Sequence, residues 1–269
     1  MFYEGTEKRL LLATKEVNLL ALDELFWQTL VTHSGAEILS CIENTDIKAY
    51  LLSESSLFVW KNKLLLITCG NTQLVKAALF LQQALTKETI STLIFQRHQA
   101  LKPECQSSNF EQDNLLLKRY FNGHQQHWND KYQGDLFVFG ECSDKTIITQ
   151  NIYMFHGLQS DFSCSLQNKH VPKEQILSAI KIDDFFEGLT IDHFSFKPKG
   201  YSLNAIRDQD YLTIHLTPEK LSTYISIESS YSDQDCAAFI THLKQLFLPS
   251  REKRMHFQTA SNNLKIDIF

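Results

Sequence analysis

The segment Tyr50-Leu-Leu-Ser-Glu-Ser-Ser-Leu-Phe-Val59 lies at the centre of a predicted β-hairpin. Residues 47–52 form one arm and residues 57–68 form the other. The polar residues Ser53-Glu54-Ser55-Ser56 connect the arms, and serine is common in such connections because its hydroxyl satisfies backbone amides of the turn. Taken alone, this cluster indicates an ordinary loop.

Apolar spacing outside the hairpin predicts further helices and strands. Helical spacing occurs at residues 22–32, 72–85, 114–121, 172–182 and 232–248. Strands are predicted at residues 37–42, 92–95, 136–139, 146–155, 189–196, 211–217, 223–228, 255–259 and 264–269. Because hairpins rather than long crossovers join many of these strands, we expect an α+β fold of antiparallel sheets with helices on their outer faces.

Length and composition indicate an ordinary globular protein. The chain has 269 residues, of which 43% are hydrophobic and 21% charged, enough for one large domain or two small ones. A net charge of −5 gives no reason to expect nucleic acid or an anionic membrane as partner. No apolar run approaches the roughly 20 residues of a transmembrane helix, and the first residues lack a signal-peptide pattern. We therefore expect a cytoplasmic protein.

Cysteine and histidine spacing predicts neither a disulfide framework nor a metal site. The six cysteines are scattered without a Cys-x-x-Cys pair, so free thiols are expected. His124 and His127 stand near Asp130, but a zinc site needs more ligands at clearer spacing. A solvated loop is the preferred interpretation of this segment, and no metal is expected.

Three further strings give the hairpin a different meaning. They are Phe2-Tyr3-Glu4-Gly5-Thr6-Glu7-Lys8, Thr68-Cys69-Gly70, and Gly200-Tyr201-Ser202-Leu203-Asn204 followed by Thr213-Ile214-His215-Leu216-Thr217-Pro218-Glu219. In this order and at these intervals, the four strings resemble the eukaryotic-type S-adenosylmethionine decarboxylase family. Members of that family make their own pyruvoyl cofactor by cutting the chain before a serine. The resemblance runs from Phe2 to about Pro249.

The resemblance implies a fold and a processing event. It implies one decarboxylase-like domain over residues 1–269, built as an internally duplicated α/β/β/α four-layer sandwich in which two mostly antiparallel sheets face each other. Cleavage between Glu54 and Ser55 would leave chains 1–54 and 55–269. A faint internal echo accompanies this expectation: Tyr50 precedes Glu54-Ser55-Ser56 at the spacing with which Tyr224 precedes Glu228-Ser229-Ser230.

A pyruvoyl group would supply what amino-acid decarboxylation requires. No protein side chain is a sufficient sink for the electrons of the breaking Cα–C bond, whereas a carbonyl that forms a Schiff base with the substrate amine is one. Making this group requires a serine hydroxyl that attacks the preceding carbonyl in a strained turn. Ser55 fits that demand, and Ser53 and Ser56 would be turn residues without a covalent role.

His215 and Ser202 are candidates for the processing chemistry. Alternation along residues 211–217 places His215 on the polar face with Tyr211, Thr213 and Thr217. On the residues alone, this would be an ordinary strand histidine. The resemblance makes it the base that removes the Cα proton of residue 55, with Ser202 beside it, and an imidazole suits that task.

Cys69, Glu4 and Glu7 are candidates for catalysis. On the residues alone, Cys69 is a buried small hydrophobe and the two glutamates are an exposed pair. The resemblance makes Cys69 the acid that returns a proton to the substrate Cα. It also requires both carboxylates, one for catalysis and one for processing, without dividing the roles between them.

The resemblance also assigns substrate contacts. Tyr3 and Phe196 would sandwich the adenine, Glu219 would hold the ribose hydroxyls, and Glu54 would bind substrate beside the cleavage site. Each aromatic stack is worth roughly 0.5–1.5 kcal/mol beyond its buried area. As alternatives, the aromatics are core residues and Glu219 is a turn residue.

Activation by putrescine is doubtful. Glu228 and Arg97 match parts of the acidic cluster that binds this diamine in many family members. Leu11 and Ile67, however, stand where those members often have Glu and Lys.

The sequence is therefore predicted to encode a self-cleaving, pyruvoyl-dependent decarboxylase of S-adenosylmethionine that feeds spermidine and spermine synthesis, as a monomer or homodimer. Two alternatives stay open. The same machinery could act on another amino acid such as ornithine, or the chain could be a non-catalytic regulatory paralogue.

Overall fold

The structure, a computed structural model, describes residues 7–268 apart from residues 54, 86–87, 99, 101, 129–133, 141–148, 219–222 and 261–262. The described strands are β1 (Lys8–Thr14), β2 (Ile38–Glu43), β3 (Ile47–Leu52), β4 (Ser55–Trp60), β5 (Lys63–Thr68), β6 (Ile90–His98), β7 (His124–Trp128), β8 (Gly134–Gly140), β9 (Thr149–Leu158), β10 (Thr190–Ser195), β11 (Tyr201–Arg207), β12 (Asp210–Thr217), β13 (Tyr224–Ser229), β14 (Pro249–Ala260) and β15 (Asn263–Ile268). The described α-helices are α1 (Glu24–Ser34), α2 (Leu74–Leu85), α3 (Phe110–Tyr120), α4 (Asp161–Asn168), α5 (Lys173–Ile180) and α6 (Asp233–Phe247).

The chain divides into two compact units, each with its own sheet. The first unit comprises Met1–Thr146 with Ser261–Asn263, and the second comprises Ile147–Ala260 with Leu264–Phe269. Strand order in the eight-stranded sheet is β2-β3-β4-β5-β1-β6-β8-β7, and in the seven-stranded sheet it is β10-β11-β12-β13-β9-β14-β15. A single domain over residues 1–269 stays a prediction.

The two sheets repeat one connection pattern. In the first unit the order β2-β3-β4-β5-β1-β6 has the same sequence of steps as β10-β11-β12-β13-β9-β14 in the second. One helix or helix pair follows the first strand of each repeat, and one helix follows its fifth strand. The proposed echo does not match this repeat. Tyr50 and Ser55 lie on the repeat's third and fourth strands in chain order, β3 and β4, whereas Tyr224 and Ser229 both lie on its fifth, β13.

The core of the first unit lies between its sheet and helices α1, α2 and α3. Alternate strand residues such as Leu10, Leu57 and Leu66 pack there against helix residues such as Trp27 and Leu81. The opposite face of these strands is buried as well, since every residue of β4 is buried. Burial of both faces explains why this strand is nearly continuously apolar rather than alternating.

The second unit shows clear alternation. Leu212, Ile214 and Leu216 of β12 belong to the core that the sheet forms with α4, α5 and α6. The residues between them on β12, Thr213 and His215, are buried and polar. The predicted division of this strand into an apolar helix-facing side and a polar side is therefore confirmed.

Local sequence signals explain where α1 begins and ends and where α6 begins. The Asp23 carboxylate accepts a hydrogen bond from the Phe26 amide at 2.8 Å and starts α1. Gly35, with φ +89°, ends this helix in the left-handed conformation. Ser232 caps α6 by accepting a hydrogen bond from the Asp235 amide, as the spacing of these two residues predicts.

Several element predictions were wrong. The strand predicted at residues 57–69, with an interruption near residues 61–63, is two separate strands, β4 and β5. Helix α1 buries Trp27 and Val31, whereas Leu25 of the predicted apolar stripe is 68% exposed. The predicted loop around His124 is the strand β7, and α4 and β11 were not predicted at all.

Candidate active site

Ser55 has an unusual backbone conformation. It is the first residue of β4, is 3% exposed, and has φ +133°. A non-glycine residue in this region is strained, and surrounding structure must hold it there. Ser55 is flanked by Leu52 on β3 and Thr68 on β5, so neighbouring strands fix it on both sides. The strained position thus coincides with the serine predicted to become the cofactor.

The other serines of the connection have ordinary roles. Ser53 is tied to Glu37, with the Ser53 amide donating to the Glu37 carbonyl at 2.9 Å and the Glu37 amide donating to Ser53 Oγ at 3.0 Å. Ser56 is fully buried within β4, so its interpretation as a turn residue was wrong. Glu54 lies outside the described residues.

Cys69 is placed beside Ser55 by strand pairing. Ser55 pairs with Thr68, the last residue of β5, and Cys69 follows directly. Paired Cα atoms of antiparallel strands are about 4.5–5.5 Å apart, so the two residues are close neighbours. Cys69 is buried, and its backbone carbonyl accepts a hydrogen bond from Thr72 Oγ1 at 2.8 Å. The first unit therefore brings these two predicted residues together.

Glu7 lies in a buried polar cluster rather than on the surface. Its carboxylate forms an ion pair with Arg9, and both side chains are almost fully buried. Arg9 Nη1 also contacts His98 Nε2 at 3.1 Å, and the His98 amide donates to the Glu7 carbonyl. The interpretation of Glu7 as an exposed residue is therefore wrong. Arg9 was not singled out from the sequence, although its position two residues after Glu7 puts both side chains on one face of the strand.

Ser202 and His215 form a pair in the second unit. They are direct partners across β11 and β12, and Ser202 Oγ lies 3.0 Å from His215 Nδ1. Both residues are buried, at 4% and 7% exposure. The structure therefore brings together the serine and histidine that the resemblance assigned to processing.

Thr213 contacts the second ring nitrogen of His215. Its hydroxyl donates to the Leu203 carbonyl at 2.9 Å and lies 3.0 Å from Asn204 Oδ1 and from His215 Nε2. The hydroxyl has one hydrogen for these three neighbours, and the assignment in which it goes to the Leu203 carbonyl has Nε2–H donating to Thr213. In this tautomer the Nδ1 lone pair accepts from the Ser202 hydroxyl. Alternation placed Thr213 on this face, but nothing in the sequence indicated its role.

Phe196 is half-buried and rests on a glycine. Its ring packs edge-to-face on Phe194 with centroids 5.0 Å apart, and its amide donates to the Gly200 carbonyl at 2.9 Å. Gly200 has φ +121°, and a Cβ there would lie 3.5 Å from the Phe196 ring. Phe194 is 41% exposed, so an aromatic surface is available here. Tyr3, Glu4 and Glu219, the other predicted contacts, lie outside the described residues.

The residues that match the putrescine cluster have other partners. Arg97 forms a buried ion pair with Asp113 of α3 at 2.6 Å. Glu228 is buried and accepts a hydrogen bond from the Tyr211 hydroxyl at 2.8 Å. Leu11 and Ile67, where a Glu and a Lys are often found, are both buried. Arg97 therefore fastens a helix to the sheet of its own unit.

Neither a metal site nor a membrane helix is found among the described residues. They contain no group of three or more His, Cys, Asp or Glu side chains that could hold a metal ion. Within the same part of the chain, no helix is long and apolar enough to cross a membrane. The five cysteines described there are free.

Comparison with known proteins gives one consistent result. The sequence model of the adenosylmethionine decarboxylase family matches residues 1–267. The S-adenosylmethionine decarboxylase proenzyme of Leishmania donovani is 30% identical over 260 residues, which cover 86% of this chain and 68% of that protein. The proenzyme of Xenopus laevis is 28% identical over 272 residues, covering 93% of this chain and 81% of that protein.

A solved structure supports the fold. A crystal structure of the Trypanosoma brucei AdoMetDC-delta26 monomer superposes with a TM-score of 0.58 at 22% identity, covering 75% of this chain and 79% of that one. Together with the two antiparallel sheets and six helices of the described residues, this likeness confirms the α+β class.

Proposed function

The chain belongs to the adenosylmethionine decarboxylase family, and from this membership we propose that it converts S-adenosylmethionine to decarboxylated S-adenosylmethionine. That product is the aminopropyl donor for spermidine and spermine synthesis. Relatives across its length are named proenzymes, which supports activation by self-cleavage. The cut falls between Glu54 and Ser55 and leaves chains 1–54 and 55–269.

The conformation of Ser55 is the observation that carries this proposal. A buried serine with φ +133° at the start of a strand is held in a strained geometry by the strands on both sides. Attack of its hydroxyl on the preceding carbonyl replaces the peptide C–N bond with an ester and relieves this strain, and loss of the Cα proton of residue 55 then breaks the ester C–O bond. A serine in an unstrained turn would have no such driving force.

The neighbouring side chains fit a pyruvoyl group at position 55. Such a group supplies an electron-withdrawing carbonyl for the loss of carbon dioxide. Cys69, at the end of the adjacent strand, serves as the acid that protonates the substrate Cα. Burial of Cys69 and of the Glu7–Arg9 pair keeps water from this part of the sheet. The division of roles between Glu4 and Glu7 stays a matter for mutagenesis.

His215 and Ser202 are assigned to processing. With Nε2–H donating to Thr213, His215 presents the lone pair of Nδ1 toward Ser202. An imidazole fixed in this tautomer is suited to remove one proton and to share it with a serine hydroxyl. We assign to it the removal of the Cα proton of residue 55.

Substrate recognition is proposed for four residues. Phe196 offers a half-exposed ring for stacking on adenine, and Tyr3, Glu54 and Glu219 complete the set that the family resemblance implies. The free cysteines support a reducing, cytoplasmic location. A monomer or homodimer stays the expected assembly.

Release of labelled carbon dioxide tests the proposed reaction. Purified protein is incubated with carboxyl-labelled S-adenosylmethionine or carboxyl-labelled ornithine, each with and without putrescine. We expect carbon dioxide release from S-adenosylmethionine but not from ornithine. Putrescine should leave the rate unchanged, because Leu11 and Ile67 are apolar and Arg97 is paired with Asp113. Carbon dioxide release from ornithine instead would identify ornithine as the substrate. No release from either compound would favour a non-catalytic regulatory paralogue.

A further inference from the structure

Lys8 is a buried lysine that contacts the turn next to Cys69. It is the first residue of β1 and is 1% exposed. Its Nζ donates to the Gly70 carbonyl at 2.8 Å and to Thr72 Oγ1 at 3.2 Å. Both acceptors lie in the turn that joins β5 to α2, directly after Cys69. The amine therefore reaches the backbone that carries the proposed acid.

The turn depends on these contacts for its shape. Gly70 adopts a left-handed conformation with φ +63°, and Thr72 Oγ1 donates to the Cys69 carbonyl at 2.8 Å. Lys8 thus binds the carbonyl of the residue after Cys69, and through Thr72 it also supports the carbonyl of Cys69 itself. Together the two contacts fix the backbone carbonyl groups of Cys69 and of Gly70, which follows it.

The second repeat makes the same connection with a neutral side chain. Lys8 pairs with Thr68 and binds the carbonyl of Gly70, two residues further on. In the second unit, Asn151 of β9 pairs with Ser229 of β13, and these two strands have the same positions in the repeat as β1 and β5. Asn151 Nδ2 donates at 2.8 Å to the carbonyl of Tyr231, again two residues beyond its partner.

Folding alone does not explain why one repeat uses a lysine for this contact and the other an asparagine. An amide in the buried position of Asn151 is enough to hold this kind of turn. A buried amine is more costly to desolvate than an amide, so folding alone does not favour lysine at the equivalent position. The costlier donor occurs in the repeat whose turn begins at Cys69.

We propose that Lys8 is a positioning residue for Cys69: it fixes the turn at residues 69–72 so that the thiol is held where it can protonate the decarboxylated substrate. The inference rests on the proposed function of Cys69, but the link between Lys8 and the turn does not. The two parts are therefore tested separately.

The structural link is tested without any cofactor. The Ser55→Ala chain stays unprocessed, and the rate at which iodoacetamide modifies Cys69 is measured in it by mass spectrometry of the peptide that contains residue 69. Adding Lys8→Met should raise this rate about tenfold, because the freed turn opens more often. Lys8→Arg should restore slow modification. Asn151→Ala is the matched control, which should lower the melting temperature but leave Cys69 modification unchanged.

The functional part is tested in the self-cleaving chain. Lys8→Met should cleave to completion and then show kcat lower by on the order of 10–100-fold with KM nearly unchanged, because a misplaced acid affects the chemical step rather than binding. Asn151→Ala should keep the parent kcat. If Lys8→Met fails to fold, Thr72→Val removes one of the two acceptors and should change both readouts in the same direction.

The outcomes separate the two claims. Equal Cys69 modification in Lys8→Met and its parent would overturn the positioning role, whatever the enzyme's substrate. Faster modification together with unchanged kcat in Lys8→Met would show that Lys8 holds the turn but that Cys69 is not the acid. The whole inference is supported if Cys69 is modified faster in Lys8→Met and slowly again in Lys8→Arg, and if kcat falls in Lys8→Met but not in Asn151→Ala.

Discussion

Among single residues, the proposed self-cleavage depends on which side-chain atoms hold protons. His215 is buried between the hydroxyl groups of Ser202 and Thr213, one at each ring nitrogen. With Thr213 donating to the Leu203 carbonyl, we assign the proton to Nε2 and the role of base to Nδ1. A general base of this kind accelerates proton transfer by roughly 10²–10⁴-fold.

Replacement of His215 should therefore slow self-cleavage. In His215→Ala, we expect the unbroken chain to accumulate, with cleavage slowed on the order of 100-fold or more. A time course of freshly synthesised protein on a denaturing gel measures this. His193→Gln removes a half-buried histidine of β10 in the second unit and serves as the control. Equal cleavage rates for His215→Ala and the parent would remove His215 from the processing chemistry.

Cys69 should matter after cleavage rather than during it. Cys69→Ser should be processed normally but lose about 10–100-fold in the rate of carbon dioxide release, because a hydroxyl is a much weaker acid. Cys236→Ser is a matched control: burial raises the pKa of the Cys236 thiol to about 11, which makes it unreactive at neutral pH. A Cys69→Ser enzyme with the parent's rate would contradict the assignment.

Sequence patterns predicted some of these residues better than others. Strand alternation correctly placed His215 and Thr213 on one polar face, since a period of two is a local property. The burial of Glu7 was not predictable in this way, because it accompanies an ion pair with Arg9 that the period of two does not reveal. The positive φ of Ser55 likewise results from strands on both sides rather than from its neighbours in sequence.

At the scale of elements, long apolar patterns were predictive and short polar ones were not. Helix α2 was predicted because its apolar residues repeat at helical spacing. Strand β7 reads His-Gln-Gln-His-Trp, which has no apolar alternation, and it forms only because β8 is available to pair with it. The polar residues near 61–63 indicated an interruption within one strand, whereas the chain turns there into a second strand, which two connecting residues are too few to reveal.

The attachment of α3 to its sheet gives a stability prediction. Arg97 of β6 is paired with Asp113 of α3, and both side chains are at most 5% exposed. Arg97→Met leaves a buried carboxylate without its cation and should cost about 3–5 kcal/mol. Urea unfolding measures this loss.

The double variant Arg97→Met/Asp113→Leu serves as the comparison. It should recover much of the stability, since both charges are removed. The single variant Asp113→Leu completes the comparison. If the losses of Arg97→Met and Asp113→Leu add up in the double variant without recovery, the pair does not hold α3 to the sheet.

For the whole molecule, one partly buried histidine contributes to the acid sensitivity of the fold. Burial, with Arg251 and Lys253 nearby, lowers the pKa of His156 from 6.5 to about 4. The unfolded chain therefore binds a proton between about pH 6.5 and 4 that the folded chain does not, and stability falls as the pH is lowered through this window.

Replacing His156 should flatten this dependence. His156→Gln should reduce the loss of unfolding free energy between pH 7 and pH 4 by up to about 3 kcal/mol, as expected for a pKa difference of this size. Urea unfolding of both proteins at several pH values measures it. Parallel curves for the two proteins would show that His156 does not titrate differently in the folded state.

The duplicated architecture explains why one repeat can change while the other stays structural. Both repeats place a turn after the fifth strand in chain order and hold it from the first strand, by Lys8 in one unit and by Asn151 in the other. Only the first repeat adds the strained serine and the thiol beside it. The family's chemistry is thus assigned to features that break the symmetry of the repeat.

The mass of the purified chain shows whether Ser55 cuts the backbone. We expect two fragments, residues 1–54 and residues 55–269, with a ketone in place of the serine at the start of the larger one, and a single intact chain for Ser55→Ala. An unbroken polypeptide with an unmodified serine at position 55, in material that releases carbon dioxide from S-adenosylmethionine, would contradict this expectation.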